Sequence, residues 1–73
     1  MNYRNDRLLG EFGRCVRHAR LERNVQLKVW ANELGVSSQY LSAVEKGKVN
    51  LPLSMAYFIV WKFNIDFKPC ATH

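Results

Sequence analysis

Apolar residues recur along the N-terminal part of the chain at the three- and four-residue spacing of an amphipathic α-helix. This stripe predicts a helix that Asn5 or Asp6 can cap and that runs to about Glu22. Gly13 lowers the helix propensity inside it, and close packing of another backbone would explain why glycine stands there. The apolar members of the stripe are Leu9, Phe12, Val16 and Ala19.

Two short helices divided by a single glycine are predicted between Leu27 and Lys46. Gly35 ends the first helix, because glycine adopts a positive φ without a Cβ clash. The hydroxyl of Ser37 or Ser38 can cap the second helix. This spacing is typical of a helix-turn-helix. The residues expected to face the core are Trp30, Ala31 and Leu34 before the glycine and Leu41 and Val44 after it.

A fourth helix is predicted to hold Pro52 in its first turn and to end near Asn64. Phe58 and Trp61 project from its outer face, and Ile65 joins them if the helix continues. A helix with apolar residues on both faces needs a cover, so these three residues are the predicted dimer contacts. The residues expected to face the core are Ala56, Ile59, Val60 and Phe63.

Two different covers for this outer face are open. A second copy of the chain is one, since helix-turn-helix proteins usually read two half-sites as dimers. The other is the tail over residues 67–73, in which Phe67 and Cys70 would fold back over Trp61. Pro69 argues against a regular helix in that tail.

Length and charge bound the class of protein. The chain has 73 residues and a formal net charge of +5, which allow one domain and favour an anionic partner. Nucleic acid, an acidic protein or an anionic membrane surface would each satisfy that charge. No apolar run approaches the roughly 18 residues of a membrane span, and charges interrupt the N-terminus as they do not in a secretory signal. We therefore expect a cytoplasmic, all-α protein with one domain over residues 1–66 and a short tail over residues 67–73.

The two cysteines do not predict a disulfide scaffold or a metal site. Cys15 falls in the first predicted helix and Cys70 in the tail, and both stay thiols in a reducing cytoplasm. Cys15 and His18 lie three residues apart on that helix, but two ligands are too few for a closed zinc site. We expect no cofactor, metal or small-molecule ligand.

A longer pattern surrounds the predicted helix-turn-helix. Its elements are Phe12-Gly13, Val16-Arg17, Arg20, Trp30-Ala31, Leu34-Gly35-Val36-Ser37, Tyr40-Leu41-Ser42 and Glu45-Lys46-Gly47-Lys48. Through these residues the chain, from Leu9 to Ile65, resembles the DNA-binding domain of the phage-repressor, or Xre/Cro, helix-turn-helix family. The resemblance implies a compact four- to five-helix, repressor-like domain, although the family's fifth helix is here replaced by a short tail.

The resemblance also implies that the second helix of the motif reads bases in the major groove. Ser38, Gln39 and Ala43 match the family's base-reading positions, and Ser42 lies outward beside them. Gln39 is the most informative, because its amide can bond adenine at N6 and N7 together, while Ala43 offers a methyl to thymine. This face has no Arg or Lys for guanine. The alternative for Ser38 and Gln39 is an ordinary solvated helix face.

Phosphate contacts are expected around the same helix. Arg20 and Glu45 match positions that the family joins by an ion pair between its first and third helices, and from there Arg20 can also reach a phosphate. Arg14, Arg17 and Arg23 progress around the first helix, so we expect most of them to be solvated charges. The other predicted phosphate contacts are Gln26, Lys28, Tyr40, Lys46, Lys48 and Asn50.

These features favour a small homodimeric transcriptional regulator that binds a double-stranded DNA operator. Phage repressors, restriction-modification controllers and antitoxins are the kinds of regulator that fit. The alternative is a protein-interaction module that kept the fold and lost DNA binding, which the outer face of the fourth helix favours. An enzyme is not expected, because the sequence has no phosphate loop, carboxylate pair or nucleophile–base set.

Overall fold

The computed structural model describes residues 6–66, and this part of the chain consists of helices joined by turns. The helices are α1 (Asp6–Glu22), α2 (Leu27–Leu34), α3 (Ser38–Glu45) and α4 (Leu53–Phe63). The all-α prediction with four helices is confirmed for these residues, and none of the helices is long and apolar enough to cross a bilayer. The predicted cap at Asn5 and the predicted tail with Phe67, Pro69 and Cys70 lie outside the described residues.

The turn between α2 and α3 forms as the sequence predicts. Gly35 has φ 75° and ψ 27°, and its N–H and that of Val36 donate to the carbonyls of Asn32 and Ala31. Ser37 rather than Ser38 caps α3, because its Oγ accepts a 3.0 Å hydrogen bond from the N–H of Tyr40. The two helices are therefore held by local hydrogen bonds at both ends of the turn.

The core lies between the helices and takes residues from all of them. Val16 of α1, Leu41 of α3 and Ile59 of α4 are completely buried. The ring of Trp30 in α2 stacks on that of Phe63 in α4, with centroids 3.8 Å apart and planes 3° from parallel. This aromatic pair joins the helix-turn-helix to α4.

The backbones of α1 and α3 lie close together at Gly13. A Cβ at this position would lie 2.6 Å from the carbonyl oxygen of Glu45 and closer still to that of Val44. The expected close packing at Gly13 is therefore present. A Cβ at Gly10 would meet only the side chain of Arg14, at 3.7 Å, so no close contact requires glycine there.

The N-terminal end of α4 differs from the prediction, whereas the helix ends at Phe63 with Asn64 as its C-cap, where the sequence predicts. Pro52 is the N-cap, with φ −64° and ψ 148°, and lies one residue before the first turn. At the other end, Asn64 adopts the left-handed conformation, with φ 52° and ψ 50°. This turn lets the N–H of Ile65 donate to the carbonyl of Val60 and buries Ile65 to 7% exposure. The prediction that Ile65 joins the outer face and the dimer contacts is therefore wrong, because the helix does not continue.

Candidate nucleic-acid interface

α3 divides into a buried face and a face turned to solvent. Leu41 and Val44 are packed in the core, whereas Gln39 is exposed and lies in the first turn of the helix. The other predicted base-reading residues, Ser38, Ser42 and Ala43, are half-buried. The prediction thus placed the inward residues of α3 correctly, and the candidate readers lie on the remaining surface.

The solvent face of α3 is polar but carries no positive charge. The helix reads SQYLSAVE, so its only charged residue is Glu45, which is buried. Gln39 contributes an amide with both a donor and an acceptor, Ser38 and Ser42 contribute hydroxyls, and Ala43 contributes a methyl. Such groups match the edges of A·T pairs better than those of guanine, whose usual partner is Arg or Lys.

Positive charge lies at the end of this helix rather than on it. Lys46 is the C-cap of α3, and the N–H of Lys48 donates a 2.9 Å hydrogen bond to the carbonyl of Ala43. Both lysines and Asn50, in the loop before α4, are exposed. The backbone after α3 therefore holds two ammonium groups near the polar face.

The start of α2 offers a second polar edge. Gln26 is its N-cap, with φ −73° and ψ 149°, and its side chain makes no capping hydrogen bond. Gln26 and Lys28 are exposed, whereas Tyr40 is half-buried and packs against the core. N–H groups of the first turn of a helix are suited to a phosphate oxygen.

The predicted ion pair between α1 and α3 is present. Nε and Nη2 of Arg20 donate to the two carboxylate oxygens of Glu45 at 2.8 and 3.1 Å, and Nη1 donates to the carbonyl of Val25 at 2.9 Å. The two side chains are 11% and 6% exposed. A forked guanidinium can hold a carboxylate and a backbone carbonyl together in this way, which an ammonium cannot do with the same geometry.

Hydrogen bonding to Glu45 raises the pKa of Arg20 above its ordinary value, although burial acts in the opposite direction. A raised folded-state pKa means that the stabilisation is complete below the ordinary pKa of arginine and is lost only as the pH rises through the higher folded value. The Arg20 charge therefore persists at every physiological pH. The bonds to Glu45 and Val25 use three of the five N–H groups of the guanidinium, and the predicted phosphate contact of Arg20 stays a prediction.

Arg23 is a structural residue that the sequence analysis missed. Its guanidinium lies 5.7 Å from the ring centre of Trp30 and donates to the carbonyls of Phe63 and Asn64 at the end of α4. Arg23 is exposed, as are Arg14 and Arg17, but its hydrogen bonds to α4 and its position over the ring of Trp30 are contacts that the expectation of a solvated charge did not include. No local pattern points to these partners, which lie 40 and 41 residues away.

The outer face of α4 carries large apolar side chains. Phe58 and Trp61, predicted to project outward, are 38% and 76% exposed, and their ring centres are 6.4 Å apart. Leu53 and Tyr57 are also exposed, at 71% and 69%, and were not predicted. Their four-residue spacing with Trp61 is the sequence signal that could have identified them.

Comparison with known proteins identifies one family. A family model described as Helix-turn-helix matches residues 16–68. This range includes all of α2, α3 and α4, the Arg20–Glu45 pair and every candidate contact to bases and phosphates. Comparisons with curated proteins and with solved structures gave no significant match.

Proposed function

The chain belongs to the helix-turn-helix family of Xre/Cro-like DNA-binding regulators, and we propose that it is a sequence-specific, homodimeric transcriptional repressor or controller. It acts in the cytoplasm and reads a palindromic operator in double-stranded DNA, in the manner of phage, restriction-modification or antitoxin regulators. The observation that carries the proposal is the polar face of α3, which the Arg20–Glu45 pair fixes on the body of the domain.

Recognition proceeds by insertion of the N-terminal half of α3 into the major groove. Gln39 pairs with adenine through N6 and N7, and the methyl of Ala43 packs on a thymine methyl. Ser38 and Ser42 lie beside them and discriminate weakly, since a hydroxyl both donates and accepts. A half-site read by this face is expected to contain A·T pairs at its centre.

Phosphate contacts set the register of the helix in the groove. Lys46, Lys48 and Asn50 hold the strand beside the end of α3. Gln26 and Lys28, with Tyr40, hold the strand beside the start of α2 and α3. Each phosphate that a lysine neutralises releases counterions, so affinity is expected to fall with salt concentration.

A protein-interaction module without DNA binding is the second candidate. The exposed aromatic face of α4 favours it, because such a face marks a contact with another protein whether or not DNA is bound. The charge of the chain suits an acidic protein as well as DNA.

Selection of bound duplexes from a random DNA pool separates the two candidates. If the chain is a DNA-binding regulator, the selection should recover an inverted repeat with A·T pairs in each half-site. The fraction of DNA that the protein retains should then fall steeply between low and physiological salt concentration. Recovery of no preferred sequence, together with no retention at low salt, would contradict the proposal and favour the interaction module.

A further inference from the structure

The three most exposed large apolar residues of the described chain lie on one line along α4. Leu53, Tyr57 and Trp61 are 71%, 69% and 76% exposed, and each follows the previous one by four residues. Side chains at this spacing form a continuous ridge on a helix surface. These three residues are called the ridge below.

An apolar groove runs beside the ridge. It has a volume of about 350 Å³. One side is formed by Leu8, Leu9 and Phe12 of α1 together with Leu51 of the loop, and the other side by Leu53 and Tyr57 of the ridge itself. A cavity of about 150 Å³ holds a benzene molecule, so the groove is large enough for an indole ring.

We propose that a second copy of the chain covers this surface, with the two α4 helices antiparallel about a two-fold axis near Tyr57. Trp61 of each copy then lies in the groove of the other, against the partner's Leu53. The proposal rests on the homodimer of the proposed function and specifies which residues meet. It replaces a contact through Phe58 and Ile65 with a contact between ridge and groove.

The symmetry of the ridge supports an antiparallel pairing. Leu53 and Trp61 lie four residues on either side of Tyr57, about 6 Å along the axis in each direction. A two-fold axis through Tyr57 therefore brings Trp61 of one copy opposite Leu53 of the other, twice. Two ridges of this kind pack with their helices crossing at about −50°.

A second copy is favoured over another occupant because the surface is complementary to itself. The ridge supplies the projecting indole and the groove supplies its seat, as an interface between identical surfaces requires. Lys62 is the only charged residue of α4, which suits the charge-poor centre of an interface. The exposed ridge and Leu8 would bury on the order of 1,000 Å² in both copies together, the lower limit for a specific interface.

Complementary charges at positions 53 and 61 test the pairing. In Trp61→Lys and Leu53→Glu, the new charge would face an apolar residue of the partner and should raise the dimer dissociation constant about 30-fold or more. An equimolar mixture of the two variants should recover the dimer, because Lys at 61 of one copy then meets Glu at 53 of the other. The second contact in that heterodimer is the native pair of Trp61 and Leu53.

The fold should tolerate both substitutions. Glu at position 53 lies in the first turn of α4 and Lys at 61 in the last, where each complements the helix dipole. Far-UV circular dichroism checks this. Leu21→Glu is the matched control, because Leu21 is 51% exposed on α1, away from ridge and groove.

Sedimentation equilibrium without DNA gives the result. The proposal predicts a dimeric parent, a dimeric Leu21→Glu, two monomeric single variants and a dimeric mixture. A parent that is monomeric at high micromolar concentration, single variants that stay dimeric, or a mixture that stays monomeric would each overturn it. Failure of DNA binding would leave these masses unchanged, so the two proposals fail independently.

Discussion

At the scale of the residue, the proposed preference for one DNA sequence depends on a few atoms on the solvent face of α3. Gln39 is exposed in the first turn of that helix and carries both a donor and an acceptor. A bidentate pair of bonds to a base contributes about 1–3 kcal/mol of discrimination. Replacing Gln39 with Ala should cost that amount on the selected operator and relax the preference at one base pair, as measured on operators changed one pair at a time.

Lys48→Ala is the control for Gln39→Ala. Lys48 is exposed after α3 and is expected to contact phosphate. Its loss should weaken binding to all sequences alike and lower the slope of log affinity against log salt by about one. If Gln39→Ala kept the parent's ratio of affinities for operator and scrambled DNA, Gln39 would not be the reader.

Replacement by alanine should change the free energy of unfolding in opposite directions at the two glycines of α1. Gly13→Ala places a Cβ against the carbonyls of Val44 and Glu45 and should destabilise the fold by about 1–3 kcal/mol. Gly10→Ala meets only Arg14 and should stabilise it by about 0.4–1 kcal/mol, because alanine narrows the unfolded ensemble. Urea unfolding of both variants measures the difference, and equal effects would contradict the close approach of α1 and α3.

At the scale of the element, the Arg20–Glu45 pair fixes the orientation of α3 relative to α1. Removing one partner leaves the other charge largely buried, at a cost of about 3–5 kcal/mol when burial is complete and less where water reaches it. Arg20→Ala should cost more than Glu45→Gln, because it also removes the donor to Val25. Thermal melts of the two variants and of the double variant should show losses that do not add.

The pair of Arg7 and Glu11 within α1 is the control for that cycle. Nε of Arg7 and Oε2 of Glu11 are 3.5 Å apart, and the side chains are 80% and 14% exposed. Because Arg7 itself is exposed, Arg7→Ala should cost less than about 1 kcal/mol. Losses of Arg20→Ala and Glu45→Gln that simply summed in the double variant would mean that the pair contributes no coupling.

The positions of the helices could be predicted because each depends on local patterns. The spacing of apolar residues predicted α1 to Glu22, and glycine at position 35 with a serine cap predicted the turn between α2 and α3. The Arg20–Glu45 pair was expected from the family resemblance and not from local pattern. The face of α3 that holds Gln39 followed from the inward positions of Leu41 and Val44.

Features that depend on distant residues or on an unmarked turn could not be predicted in this way. Ile65 was placed outside on the condition that the helix continues past Asn64, whereas Asn64 adopts the left-handed conformation that turns Ile65 into the core. Arg23 donates a hydrogen bond to the carbonyl of Phe63, 40 residues away, and the spacing of residues along α1 does not predict that contact. The groove exists only once α1 and α4 lie side by side.

At the scale of the whole molecule, two surfaces divide the proposed work. The polar face of α3 and its flanking lysines are proposed to bind one half-site, and the ridge of α4 is proposed to join two copies so that both half-sites are bound together. Recognition helices about 34 Å apart would match one turn of the duplex. The net charge of +5 suits DNA as it suits other anionic partners, so the face of α3 and not the charge assigns the position of DNA in this proposal.

Titration of isotope-labelled protein with the selected operator tests directly whether α3 is the surface that reads DNA. The quantity measured is the change in each amide resonance. The largest changes are predicted in the first half of α3, in the side-chain amide of Gln39, around Lys48 and at the start of α2. A scrambled duplex at the same salt concentration should shift the resonances around Lys48 but change the side-chain amide resonances of Gln39 much less. Changes confined to α4, with no change in the resonances of α3 on addition of the operator, would contradict the reading of DNA by α3.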